Sequence, residues 1–401
     1  MIRHSWRLLS LAAATTTVIT VMGAASAAAS QTSPAPSPSQ TSPAPSPVFP
    51  VFTGRLYGVT ATSPGNAWAV GLHPDSSLII HWDGRTWTQQ LAGPGYFWSV
   101  GASSAGNAWA VGGTDWFTSQ TMTYHWDGTA WTHIPSPTPA ATATLRGVTV
   151  SGNEAWAVGA TGASPGNPDL SHASPLIEHW DGTAWKVMRT PHLPAAAHAG
   201  QLQNVTAVSS RNIWAVGWIG SGQSGSDSFR PLIEHWKGRS WFRVKSPAVA
   251  PQSVLSSVTA TGYRHVWAVG ATSTLGATKT LTERWNGSTW SVVPSPTPDS
   301  GAHLKSVSAR SPRDAWAVGQ TTYNGVCPTK CQAVIEHWNG KTWQIPSPDI
   351  NLKLPSAYLT SLWGVSAIPG GGAWAVGTTD YATTLILHLP ISAAPARRQR
   401  G

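Results

Sequence analysis

The chain has 401 residues, 24 of them Trp, with charged residues at 10%, a formal net charge of +9 and only two Cys. Two cysteines exclude a disulfide-built scaffold. The charge excludes a concentrated nucleic-acid footprint: Arg3 and Arg7 carry two of the nine charges, and Arg397, Arg398 and Arg400 carry three, which leaves +4 on everything between.

Residues 1–27 read as an export signal. Arg3 and Arg7 precede a moderately apolar run, Leu8–Met22, and Ala25-Ser26-Ala27 offers a small-residue cleavage site. Residues 28–47 contain the unit Gln-Thr-Ser-Pro-Ala-Pro-Ser-Pro twice (Gln31–Pro38 and Gln40–Pro47), a composition suited to an extended spacer. From residue 48 to 390 one phrase dominates. Trp-Ala-Val-Gly begins at Trp68, Trp109, Trp156, Trp214, Trp267, Trp316 and Trp374. A spacing of about 40 to 60 residues with strand-like patterning points to a radial array. Residues 391–401 form a basic tail.

Each copy predicts four strands. The first has the pattern Leu-x-x-Val-x-Ala (Leu56–Ala61), the second is Trp-Ala-Val-Gly, the third ends in His-Trp, and the fourth carries another Trp. Asp83-Gly84, Asp127-Gly128, Asp181-Gly182, Lys237-Gly238, Asn286-Gly287 and Asn339-Gly340 separate the last two strands. They read as two-residue hairpins with positive φ at both central positions. Four-stranded meanders that must bury both faces predict an all-β, seven-bladed propeller of antiparallel blades. The seventh copy lacks a fourth Trp strand, so Val48–Phe52 is expected to supply the missing outer strand and lock the ring.

In this topology the tight turns fall on one face and the irregular loops on the other, where binding is usually built. The residue after the leading Leu or Phe of each first strand varies while its neighbours repeat: Tyr57, Trp98, Arg146, Gln203, Ser256, Lys305 and Trp363. Tyr57, Trp98 and Trp363 belong to neighbouring blades once the ring closes, with Arg146 and Lys305 flanking them. That arrangement suits stacking on sugar rings. The expected partner is an extracellular glycan or cell-envelope polymer, or else a protein bound by the same face. No cofactor, metal or specific nucleic acid is expected, nor a membrane span after signal cleavage, and the chain is expected to be a monomer. A hydrolase or lyase is a further alternative. It would have to draw carboxylates from Asp75, Asp115, Asp169, Asp227, Asp299, Asp349 or Asp380. Loop His172, His192, His198 and His303 fit no metal-ligand spacing, and blade four gathers Arg230, Lys237, Arg239, Arg243 and Lys245 as guards of an exposed outer strand, with binding of an anionic wall polymer as the alternative. Cys327 and Cys331 read as a local disulfide in an exported protein, with a free redox pair as the alternative.

The Trp-Ala-Val-Gly and His-Trp-Asp-Gly-x-x-Trp pairs, over about residues 55–389, resemble a group of exported bacterial propellers with these repeats, mostly of unknown role. The Asp-Gly-x-x-Trp turn is also similar to the Asp-box of sialidase-type propellers, shifted by one residue and without its opening Ser. Kelch and galactose-oxidase propellers share the seven-blade plan, but their Gly-Gly doublet is not repeated here. The Trp-Asp pairs resemble WD repeats without the Gly-His partner. These resemblances imply the fold and carry no catalytic residue onto this chain.

Overall fold

In every repeat the Trp-Ala-Val-Gly segment is a strand buried on both faces; Ala67, Trp68, Ala69 and Val70 are each 0% exposed. The alanines let neighbouring sheets approach closely, and the indole fills the gap between them. The computed structural model describes residues 51–390 except 75, 164–165, 167–169, 196, 221–228, 248–249, 251, 275–276, 323–330, 347–358 and 381. All elements among the described residues are strands, and no helix there is long and apolar enough to cross a membrane. The signal segment 1–27, the spacer 28–47, Val48–Pro50, Cys327 and the tail 391–401 lie outside the described residues.

The strands form seven antiparallel sheets in sequence order, six with four strands and the last, Thr360–Leu389, with three. This is a seven-bladed β-propeller. The first strands lie innermost and touch one another round the ring: Arg55–Ser63, Tyr96–Ser104, Ala143–Ser151, Ala199–Ser209, Gln252–Gly262, Ala302–Ser311 and Thr360–Ala367. Side chains on one inner strand cap amides of a neighbouring one. The Val148 and Val307 amides donate to the hydroxyls of Ser99 and Ser257, and the Ala61 amide donates to Ser366 of the last blade.

Tryptophans join the blades. Trp68 packs at 4.8 Å from Trp126 and 5.1 Å from Trp131 of the next blade. The same trio recurs at Trp109, Trp156, Trp214 and Trp267. Trp374 of the last blade packs on Trp82 and Trp87 of the first, closing the ring. Only the interface after Trp316 uses leucines instead, Leu385, Leu387 and Leu389. The repeated histidine covers the other indole face, as where His235 stacks on Trp214 at 3.8 Å and 8°. Its Nε2 bonds the residue that opens the second strand: Asn66, Asn107, Asn212 or Asp314. These histidines are therefore parts of the blade.

The outer edge of the last blade meets the start of the described chain. The Thr384 amide donates to the Phe52 carbonyl (2.9 Å), the Gly54 amide to the Ala382 carbonyl (2.7 Å), and Thr53 forms a single antiparallel bridge with Thr383. Phe52 also packs against the core shared by the first and last blades. Deleting residues 48–53 is expected to lower the melting temperature by several degrees; an unchanged melt would show that the bridge contributes nothing.

The loop between third and fourth strands differs from the two-residue hairpin expected. Trp82 pairs with Trp87, so residues 83–86 form a four-residue loop. Gly84 has φ 93°, and Asp83 is not among the positive-φ residues. The Asp83 carboxylate instead accepts the Arg85 and Thr86 amides, both at 2.8 Å. Asp127, Asp181, Asn286 and Asn339 do the same. A side chain that satisfies two turn amides removes the need for a left-handed first residue. The Thr129 hydroxyl, with the Ala130 and Thr129 amides, holds Asp127 down at about 2. Lys237 has no acceptor for this task and keeps only its backbone bond to Ser240. Lys237→Asp is expected to raise the melting temperature by about 1 to 2 °C; a drop would contradict this account of the loop.

Candidate functional site

Each inner strand carries a β-bulge at the position just after its leading Leu or Phe. The register jumps between Leu56 and Gly58, Phe97 and Ser99, Leu202 and Asn204, Leu255 and Ser257, Leu304 and Ser306, and Leu362 and Gly364. In the third blade Val158 pairs Gly147 while Gly159 pairs Leu145. The unpaired residues are thus Tyr57, Trp98, Gln203, Ser256, Lys305, Trp363 and Arg146. A bulge re-aims one side chain out of the pleat. The motif glycine opposite makes room for it: a Cβ on Gly71 would fall on the Arg55 carbonyl oxygen, and one on Gly377 on that of Ser361. The repeated glycine and the variable residue are two halves of one device.

All seven bulged residues line one cavity of about 410 Å³, which lies on the ring axis because every blade contributes to it. On one side the aromatics form an arc. Tyr57 lies 4.4 Å from Trp98 and 5.7 Å edge-on from Trp363. Tyr96 and Trp116 extend it, at 5.6 and 6.1 Å from Trp98. A cation closes each end: the Arg146 guanidinium sits 4.5 Å over Trp98, and the Lys305 ammonium 5.2 Å over Trp363.

No Asp or Glu is among the described residues that line the cavity. Among the described residues neither Arg146 nor Lys305 has an ion-pair partner, and the buried Arg146 Nε has no hydrogen-bond partner. Burial lowers the Arg146 pKa and, with the Arg146 charge adding to it, pulls Lys305 down to about 8. Burial likewise raises Tyr57, against the pull of Arg55. Opposite the arc runs a chain of hydrogen bonds. The Lys305 ammonium has only donors, so the His303 Nδ1 at 3.0 Å must accept. The His303 Nε2–H then donates to the Ser256 hydroxyl at 2.8 Å, which leaves the Ser256 proton directed elsewhere. Burial, then the Lys305 charge, keeps His303 neutral, well below its usual range.

The sequence reading placed His303 in a loop; it stands on the inner strand Ala302–Ser311 and belongs to this cavity. The signal was present. The position before each leading Leu or Phe also varies (Arg55, Tyr96, Thr144, Gln201, Val254, His303, Ser361), and its side chains support the bulged ones. Tyr96 bonds Ser119 and Thr144, and Gln201 accepts from Gln203. Asp115 caps its own loop through the Phe117 and Thr118 amides, and Asp380 accepts from Leu359. Asp75, Asp169, Asp227 and Asp349 lie outside the described residues. In blade four Arg243 donates to the His192 carbonyl, tying its outer strand to the preceding link. Cys331 is buried and disulfide-bonded. Among the described residues no three His, Cys, Asp or Glu are placed to hold a metal ion.

No protein-family model and no curated protein matches the chain. Solved propellers do. One is YCF48 bound to a D1 peptide (TM-score 0.53, 15% identity, 86% of this chain and 97% of that one). Another is the GH74 xyloglucanase of Xanthomonas campestris (TM-score 0.55, 15% identity, 87% of this chain but 55% of that one). A third is a PL25 ulvan lyase bound to a glucuronate–sulfated rhamnose unit (TM-score 0.51, 9% identity, covering 84% and 95%). At these identities the likeness is one of fold. The neighbours are propellers whose ligands are peptides or polysaccharides.

Proposed function

We propose that the protein is an exported binding propeller that takes a glycan or cell-envelope polymer at the mouth of its central channel. The observation that carries this reading is the convergence of seven bulged, non-repeating side chains on one cavity, three of them aromatic and adjoining. Aromatic faces stack on the apolar faces of sugar rings, and nearby amide and hydroxyl groups (Gln203, Asn204, Ser99, Ser256) reach hydroxyls. Residues 1–27 act as the signal and 28–47 hold the propeller away from a surface. The described residues of the lining include no carboxylate. A peptide ligand is the second reading, favoured by the similarity to a propeller solved with a peptide.

The test is retention on immobilised polysaccharides and envelope fractions. The triple variant Tyr57→Ala, Trp98→Ala, Trp363→Ala is expected to lose retention while its melting curve stays cooperative. Retention equal to that of the wild type in a folded variant would overturn the assignment.

A further inference from the structure

We propose that the ligand is an acidic glycan whose carboxylate or sulfate is held between Arg146 and Lys305 while its ring rests on the Trp98–Tyr57–Trp363 arc. This rests on the glycan reading above and adds a charge to it.

Three observations lead here. First, both cations of the cavity are spent on ring faces and on His303, with no carboxylate among the described residues of the lining. A half-buried cation without an anion is costly unless something else neutralises it. Second, the buried side-chain atoms of the lining that lack a partner are donors: Arg146 Nε, Trp98 Nε1 and Trp363 Nε1. The Ser256 proton, freed because its oxygen accepts from His303, is another. A site whose buried, unpartnered polar atoms are donors is complementary to a ligand rich in acceptors. Third, the two cations flank the aromatic arc at its two ends, so a saccharide lying along the arc passes both. The charges of Arg146 and Lys305 are also close enough to act on each other. Each therefore gains when an anion comes between them. A neutral glycan would satisfy the rings and leave the cations and the donors uncompensated.

The experiment is calorimetric titration of the full chain with hexagalacturonate, its methyl ester, a sulfated carrageenan hexasaccharide, cellohexaose and a hexapeptide with a free C-terminal carboxylate. The expected result is binding of an acidic hexasaccharide at least tenfold tighter than that of the methyl ester and cellohexaose. Arg146→Gln and Lys305→Gln should each reduce acidic-sugar affinity at least tenfold. Glutamine is tolerated at a bulge, since Gln203 occupies the corresponding position. Lys341→Gln, an exposed lysine in a turn between outer strands, should leave affinity unchanged. Equal binding of acidic and neutral sugars would overturn the charge assignment and leave the glycan reading standing. Binding of the peptide alone, or of no probe, would overturn both.

Discussion

Trp214→Ala is expected to lower the free energy of unfolding by about 4 kcal/mol, the usual cost of removing a fully buried large aromatic. Trp214 is 0% exposed. One face lies on His235, the other meets Trp285 at 5.0 Å, and Trp290 stands edge-on at 5.4 Å. Those two indoles belong to the following blade, so the truncation opens a cavity at a blade interface. Relaxation is limited because the flanking strands are pinned on both sides by their ladders. Tyr263→Ala, at a residue 64% exposed, serves as the reference and should stay within about 0.5 kcal/mol of wild type. Chemical denaturation of the two variants measures the difference. A loss below about 1 kcal/mol for Trp214→Ala would mean that the indoles are not what holds the blades together.

Stability is expected to fall as pH rises from 6.5 to 8, by about 2 to 3 kcal/mol net. Glu178, Glu234, Glu283 and Glu336 occupy one repeated slot on the third strands and are all 0% exposed. Burial raises Glu178 and Glu336 to about 8, and Glu234 and Glu283 to about 7. Weak opposition comes from Ser136, Ser295, the Arg243 charge and Ser246 respectively. A carboxyl whose folded pKa is raised holds its proton in the native state after the unfolded chain has released it. Its stabilising effect is therefore complete below the unfolded value and is lost as pH climbs through the folded one. Glu178 and Glu336 each contribute on the order of 1 to 2 kcal/mol to the fall, and the other pair on the order of 1 kcal/mol or less each. Burial lowers the pKa of the repeated histidines, so between 6.5 and about 7.5 the unfolded chain still binds protons that the folded chain does not, and this offsets part of the fall. Below that window they oppose the carboxyls and flatten the profile. Lys305, which releases its proton near 8, begins to offset the loss above that pH. Melting curves at pH 6.5 and 8 should separate in the wild type. The fall should be absent in the variant with Gln at all four glutamates, since an amide fills the same space without a proton to lose. A wild-type melt independent of pH over this range would refute the buried neutral carboxyls.

Much of the architecture was legible because it is written seven times. The period, the alternation and the Trp positions each state a local requirement. A strand buried on both faces needs Ala and Val, and a blade interface needs a large flat ring. Repetition turns those requirements into a blade count. The variable first-strand position was legible by contrast, as the one place where the repeat declines to repeat. The hairpin geometry was not, since Asp-Gly satisfies either a left-handed pair or a side-chain cap. Only the backbone of the folded loop distinguishes them.

By itself the sequence determined the ring, the scaffold role of its tryptophans and the seven candidate side chains, because each follows from short-range pattern. Tertiary structure decided the rest. A bulge is a mismatch between two strands, so no single strand announces that its extra residue turns toward the axis. Convergence on one cavity, the pairing of Arg146 with Trp98 and Lys305 with Trp363, and the recruitment of His303 join groups from different blades. Such contacts are fixed by closure of the ring, which brings together residues that the chain keeps some fifty positions apart or more.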